Sequence, residues 1–152
     1  MAGEWRPSYI HDTGDSASTL DFVAPADWQL LSVYVHLTTT ATVGDRLMTL
    51  VLYSDSAAGA EIDRVRAGAL QVASTDWHYH FAPGLARLTS VYDSDQITSP
   101  MPNWILRRGQ MLRVLDGAAI AADSDNISVA ITGMIKGSLW GDTQAMQGWP
   151  SA

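Results

Sequence analysis

The chain has 152 residues, a net charge of −7 and no cysteine. Its length suits one domain with a substantial core, and without cysteine neither a disulfide nor a thiolate metal site can hold it together, so packing must. An acidic chain with no basic stripe is not built for nucleic acid. No stretch approaches the roughly 18 apolar residues of a membrane helix, and the start, MAGEWRPSYIHDTGD, has no apolar run of the kind a secretory signal needs.

Charged residues make up 16% of the chain, against roughly 25% in a typical soluble protein. Lysine occurs once, at Lys136, and glutamate only at Glu4 and Glu61. Two readings stand side by side: codon bias from a GC-rich genome, and a surface largely covered by partners.

Taken in chain order, residues 1–16 read as a polar, Gly-containing N-terminal arm with Trp5, Tyr9 and Ile10 as anchors. A first strand is predicted from Ser18 to Val23, broken by Pro25-Ala26-Asp27. Trp28 to Ser54 then carries a strong period-two signal. Leu31, Val33, Val35 and Leu37 alternate with Leu30, Ser32, Tyr34 and His36, and Met48, Leu50 and Leu52 alternate with Leu47, Thr49, Val51 and Tyr53. Gly44-Asp45 suits a tight connection, so the segment is expected to form one long hairpin.

Short strands are expected near Glu61–Val65 and at Trp77–Phe81, the latter stopped by Pro83-Gly84. Ala67–Ala73 reads as a short strand or an irregular link. Leu88–Tyr92, Asp95–Thr98 and Trp104–Leu106 are short segments among acidic and Pro-containing loops. Arg107-Arg108-Gly109-Gln110 is a turn into a strand from Met111 to Asp116. Asp116–Ala122 is the one place for a helical turn, and Asn126–Ile135 is the last core strand. Strands at roughly ten-residue spacing with turn signals between them indicate an all-β antiparallel sandwich or barrel. The expected core is Leu31, Val33, Val35, Leu50, Leu52, Phe81, Leu112, Val114, Ile127, Val129 and Ile131. Residues 17–136 thus form the sandwich, between the arm and a C-terminal tail, 137–152. That tail holds Trp140, Met146 and Trp149, each Trp able to bury about 150–250 Å² if docked.

His78 and His80 form a His-x-His pair on one strand face, with Trp77, Tyr79 and Phe81 turned into the core. The spacing suits a metal, and His36 is the plausible third imidazole. No Glu follows downstream as a cupin-type set requires, so no metal and no cofactor is expected. Asp93/Asp95 and Asp123/Asp125 could feed calcium, but Asp also favours turns on its own account. Without a Cys nucleophile, a Gly-x-Ser-x-Gly elbow or a phosphate loop, no catalysis is expected. Arg64, Arg66, Arg87, Arg107, Arg108 and Arg113 are expected to pair with Asp of this chain or of a neighbour.

From Leu30 to about Ile131 the order of elements resembles small structural proteins of tailed bacteriophages. The pieces are LLSVYVHLTTTATVGDRLMTLVLYSD, VRAGALQVASTDWHYHFAPGL, ITSPMPNWILRRGQMLRVLD and DSDNISVAITG. The resemblance is to capsid cement or decoration proteins with a jelly-roll sandwich. It implies a non-enzymatic protein on the capsid exterior, made in the host cytoplasm, whose partner is the major capsid protein and which self-associates as a dimer or trimer. The alternative is a carbohydrate- or receptor-binding sandwich of a tail or head fibre, using Trp28, Trp77 and Trp104. For the first reading, the partner-binding residues are Trp5, Tyr9, Trp140, Met146, Trp149, Arg107 and Arg108.

Overall fold

The computed structural model describes residues 4–14, 19–117 and 125–137. Among them the regular structure is all β: β1 (Glu4–Gly14), β2 (Thr19–Val23), β3 (Asp27–Thr38), β4 (Thr49–Tyr53), β5 (Glu61–Arg66), β6 (Asp76–Ala82), β7 (Gln96–Pro100), β8 (Ile105–Leu106), β9 (Met111–Leu115) and β10 (Asn126–Gly137). One sheet has the order β1-β10-β3-β6-β7, with β8 also on β3, and the other β2-β9-β4-β5. The pairings are antiparallel except β6 with β7, which is parallel.

Setting β7 and β8 aside, the layers are β1-β10-β3-β6 and β2-β9-β4-β5. The chain passes from one sheet to the other at nearly every connection. This is the double Greek-key order of a jelly roll. The core lies between the layers: Val33, Val35, Ile127, Val129 and Ile131 from the larger sheet meet Phe22, Leu50, Leu112 and Val114 from the smaller. Apolar residues at every second position leave one face of each sheet to be buried, and stacking the two faces buries both.

Three expectations change. First, β3 and β4 do not form a hairpin: β3 pairs with β10, β6 and β8, and β4 with β5 and β9 in the opposite sheet. Both strands alternate as expected, but period two marks a buried face without saying which strand lies alongside. Second, Leu31 is 43% exposed while Leu30 and Val33 are fully buried. Ser32 lies opposite Thr132 and Leu30 opposite Gly133, so Leu31 is an extra residue, a bulge that flips the inward phase from Trp28/Leu30 to Val33/Val35/Leu37. A Cβ on Gly133 would sit 2.3 Å from the Gln29 carbonyl oxygen, so only glycine allows this approach. The other ten residues of the expected core are buried.

Third, residues 4–14 are no loose arm. β1 pairs with β10 along all 11 of its residues. Its inward side chains include Ser8 and Ile10, and the Trp28 indole N–H donates to Ser8 Oγ at 3.2 Å, tying β1 to β3 beneath the intervening β10. Pro7 sits in this sheet-edge strand, where a missing N–H is tolerated and where it hides the strand from a sequence reading. Within the expected tail, 138–152 lie outside the described residues, as does most of the expected helical turn at Asp116–Ala122. Among the described residues no helix is long and apolar enough to cross a membrane.

Candidate functional site

The outer face of the larger sheet gathers the chemistry. With Ile10, Val35, Val129 and Tyr79 turned inward, alternation turns their neighbours outward. β1 presents Trp5, Tyr9 and His11, β10 presents Ser128, Thr132 and Lys136, β3 presents Tyr34 and His36, and β6 presents Asp76, His78 and His80. All four histidines of the chain thus lie on one face, because each falls at an outward position of a paired strand.

At one end of this face β3 and β6 place His36 directly opposite His78. Their rings stack 4.2 Å apart and 11° from parallel. His36 Nε2 bonds Asp76 Oδ1, and Thr38 Oγ1 donates to the same oxygen at 3.2 Å. The Tyr34 hydroxyl bonds Nδ1 of His78, whose Nε2 lies 3.8 Å from Asp95 Oδ2. Burial raises the Tyr34 hydroxyl pKa, helped by the negative charge of Asp76 and then of Asp95, so Tyr34 stays a neutral hydrogen-bonding group. His80 bonds Gln96 Oε1 at 2.9 Å while its ring packs 5.1 Å from that of Tyr34, and His11 bonds Ser128 Oγ at 3.0 Å.

At the other end of the face Trp5 is 40% exposed, and Tyr9, opposite Thr132 midway along β1, is 64% exposed. The Lys136 ammonium stands 5.9 Å from the centre of the Trp5 ring, within reach of a cation–π contact. Arg107 and Arg108 are exposed in the turn between β8 and β9. Gln110 N donates to Arg107 O at 3.0 Å to close that turn, and Gly109 takes a positive φ of 88°. β8 pairs with the start of β3, which in turn lies opposite the end of β10. Trp5, Arg107, Arg108 and the point where the chain leaves β10 therefore share one end of the sandwich. Trp140, Met146 and Trp149 lie outside the described residues.

The aromatic residues expected to bind sugar do not form a surface platform. Trp28 is fully buried and Trp104 nearly so, with its indole N–H donating to Asp63 Oδ2 at 2.8 Å. Trp77 packs against the core and borders a shallow apolar groove with Leu47, Ala69, Leu70 and Val91. The carboxylates weighed for calcium are also partly committed. Asp125 is fully buried against Arg46, and Asp123 lies outside the described residues. Of the arginines, Arg113 makes a two-point pair with Asp21 across β2 and β9, at 2.7 and 3.0 Å, which raises its pKa. Arg64 pairs with Glu61.

Two features escaped the sequence reading. Asp76 precedes the His-x-His pair by two positions, and the upstream partner His36 is joined to it only by strand register. Arg46 follows directly on Gly44-Asp45, and nothing local marks it as the partner of Asp125, 79 residues on.

No family model and no curated protein matches this chain. Among solved structures it is similar to a Bacillus endospore appendage pilus protein, at 11% identity and TM-score 0.30, covering 86% of this chain and 91% of that one. It is similar to a protein of the T13 particle of IBDV, at 13% identity and TM-score 0.33, covering 90% of this chain and 32% of that one. It is also similar to a protein of Tomato Aspermy Virus, at 10% identity and TM-score 0.32, covering 88% and 80%. The fold assignment rests on the strand order above, not on these similarities.

Proposed function

We infer that this chain is a non-enzymatic virion structural protein, one that binds the assembled capsid shell of a tailed bacteriophage and stabilises it. The observation that carries the reading is the row of exposed aromatics on the outer face of β1, with Trp5 beside Lys136 and Tyr9 opposite Thr132, on a jelly roll. Jelly rolls serve as building blocks of viral capsids and as lectin domains. A fold alone does not choose between such roles; the resemblance of Leu30–Ile131 to phage decoration proteins favours the first.

The physics suits the role. A protein that binds only the assembled lattice stabilises it by mass action, and many copies acting together allow each contact to be modest. Large aromatics beside Arg and Lys are the residue types that anchor interfaces. The major capsid protein is the partner on this reading, with the capsid exterior as the location and self-association into a dimer or trimer as the mode of presentation.

The test is density for the particle together with quantitative mass spectrometry of purified virions. A copy number that scales with the shell lattice, with the face that carries Trp5 and Tyr9 against capsid subunits, is the expected result. A copy number set by the tail or fibres would instead make the chain a carbohydrate- or receptor-binding module there, and absence from virions would defeat both readings.

A further inference from the structure

We propose that His36, Asp76 and His78 bind a divalent transition-metal ion, of which zinc is the best fit, on the outer face of the larger sheet. The inference is independent of the virion reading. One ligand atom from each of the three residues lies within 4.8 Å of those of the other two. Around a tetrahedral zinc with bonds of about 2.0–2.1 Å, ligand atoms sit about 3.4 Å apart. The widest of these separations has to close, while His36 Nε2 and Asp76 Oδ1, now in direct hydrogen-bond contact, have to part to admit the ion. Their side-chain exposure allows both movements: His36 is 33%, Asp76 58% and His78 24% exposed.

The surroundings orient the ligands. The backbone register between β3 and β6 fixes His36 opposite His78, with Thr38 opposite Asp76. The Thr38 hydroxyl holds the Asp76 carboxylate. Tyr34 occupies Nδ1 of His78, which selects Nε2 as the nitrogen open to an ion; a hydrogen bond to the far nitrogen is the usual outer support of a metal-bound imidazole. Asp95, 3.8 Å from that Nε2, adds negative charge beside the ion. Two imidazoles and one carboxylate suit zinc, copper, nickel or cobalt rather than calcium or magnesium, which favour oxygen ligands alone. Three protein ligands leave a position for water or for a donor from a docked neighbour. His80, bonded to Gln96, is not a ligand, so the His-x-His pair does not act as a chelating unit.

The test uses the full chain, stripped with a chelator, then titrated with zinc chloride by calorimetry and assayed for retained metal after dialysis. The expected result is about one zinc per chain, consistent with one such site. His36→Ala, His78→Ala and Asp76→Ala should each weaken binding more than the ~10–100-fold that loss of an outer-shell partner costs, and Tyr34→Phe should fall within that range. His80→Ala and His11→Ala should bind as the parent does. Circular dichroism on each variant separates lost binding from lost fold, and the exposed Asp76 gives a variant least able to disturb folding. Failure of the parent to retain zinc overturns the proposal, as does retention that survives both His36→Ala and Asp76→Ala, or loss of zinc on His80→Ala but not on His36→Ala.

Discussion

The guanidinium of Arg46 and the carboxylate of Asp125 meet in the interior, Nε to Oδ2 at 2.7 Å and Nη2 to Oδ1 at 2.9 Å, with neither side chain exposed. Arg46 also donates to the carbonyls of Thr42 and Gly44, and the Thr40 N–H donates to Asp125 Oδ1 at 2.8 Å. One ion pair therefore folds the Thr40–Arg46 loop and anchors it to the start of β10. This loop carries the chain from the larger sheet to the smaller; Ala41, Thr42, Val43 and Asp45 are exposed, and it is the charged pair that is buried, which the carboxylate and the loop carbonyls make possible by filling the guanidinium's hydrogen bonds.

Breaking this pair from one side should be costly. Asp125→Ala leaves a buried guanidinium without its carboxylate, and should lower unfolding free energy by about 3–5 kcal/mol. The double replacement Arg46→Met with Asp125→Leu removes both charges and should be less damaging than the single one, since apolar replacements of buried pairs are often close to neutral. Urea titrations of the three proteins check this; a single variant as stable as the parent would show that the pair does not hold the loop.

The bulge makes a sharper test of the core than burial alone. Val33→Asp and Val129→Asp place charges where both residues are fully buried, and should prevent folding because such a charge costs several kcal/mol. Leu31→Asp lies between Leu30 and Val33 in sequence but outside the core in space, and should give soluble protein whose melting temperature is close to that of the parent. If Leu31→Asp also fails to fold, the register of β3 against β10 is wrong.

The same element shows what the sequence could disclose. Alternation from Trp28 to Leu37 identified a strand with one buried face, since that depends only on neighbours along the chain. It could not disclose the bulge, because whether Leu30 or Leu31 turns inward is decided by Gly133 on β10. For the same reason the hairpin expected between β3 and β4 became a crossing between sheets. β1 was unreadable because its inward face carries Arg6, Ser8 and Asp12 around Ile10, and Pro7 stands among them, so no apolar alternation shows. Of the candidate site, His36, His78 and His80 were visible as residue types. What separates His80 from the other two, and brings in Asp76 from 40 residues beyond His36, is strand pairing.

Alkaline pH should weaken the fold through Tyr79. Its hydroxyl is buried and donates to Gln71 Oε1 at 2.8 Å, while Gln71 Nε2 donates to the Leu37 carbonyl. Burial, then the charge of Asp116, raises its pKa far above the ordinary 10.0. The folded state thus holds a proton that the unfolded chain releases near its ordinary value. The contribution is fully present below that value and is lost as pH rises from there through the folded value. Tyr79→Phe should lose about 1 kcal/mol or somewhat more near neutrality, because Gln71 Oε1 is left without its donor, and should show a shallower fall in stability above the ordinary tyrosine pKa. Denaturant titrations along an alkaline pH series report both effects; equal slopes for parent and variant would remove Tyr79 as the cause.

The two chain ends should behave differently when removed, although both were expected to be arms that contact neighbours. Deleting residues 1–14 removes β1, exposes the edge of β10 along its whole length and strips Ile10 and the Ser8 partner of Trp28 from the core. An unpaired, apolar sheet edge invites aggregation, so this truncation should be insoluble or unfolded. Deleting residues 138–152 leaves every described strand in place and should give a folded domain with an unchanged far-UV spectrum. If the tail tryptophans dock on neighbours, the same truncation should sharply weaken particle binding, since loss of one interface anchor often costs about 2 kcal/mol or more. The contribution of β1 to contact has to be read without removing the strand. Trp5→Ala and Tyr9→Ala change outward side chains only and should keep the melting temperature while lowering occupancy on particles. A tail truncation that no longer folds would place residues 138–152 in the intramolecular core. Full occupancy by the tail truncation and by the Trp5→Ala, Tyr9→Ala double variant would remove both the tail and the outer face of β1 from the interface.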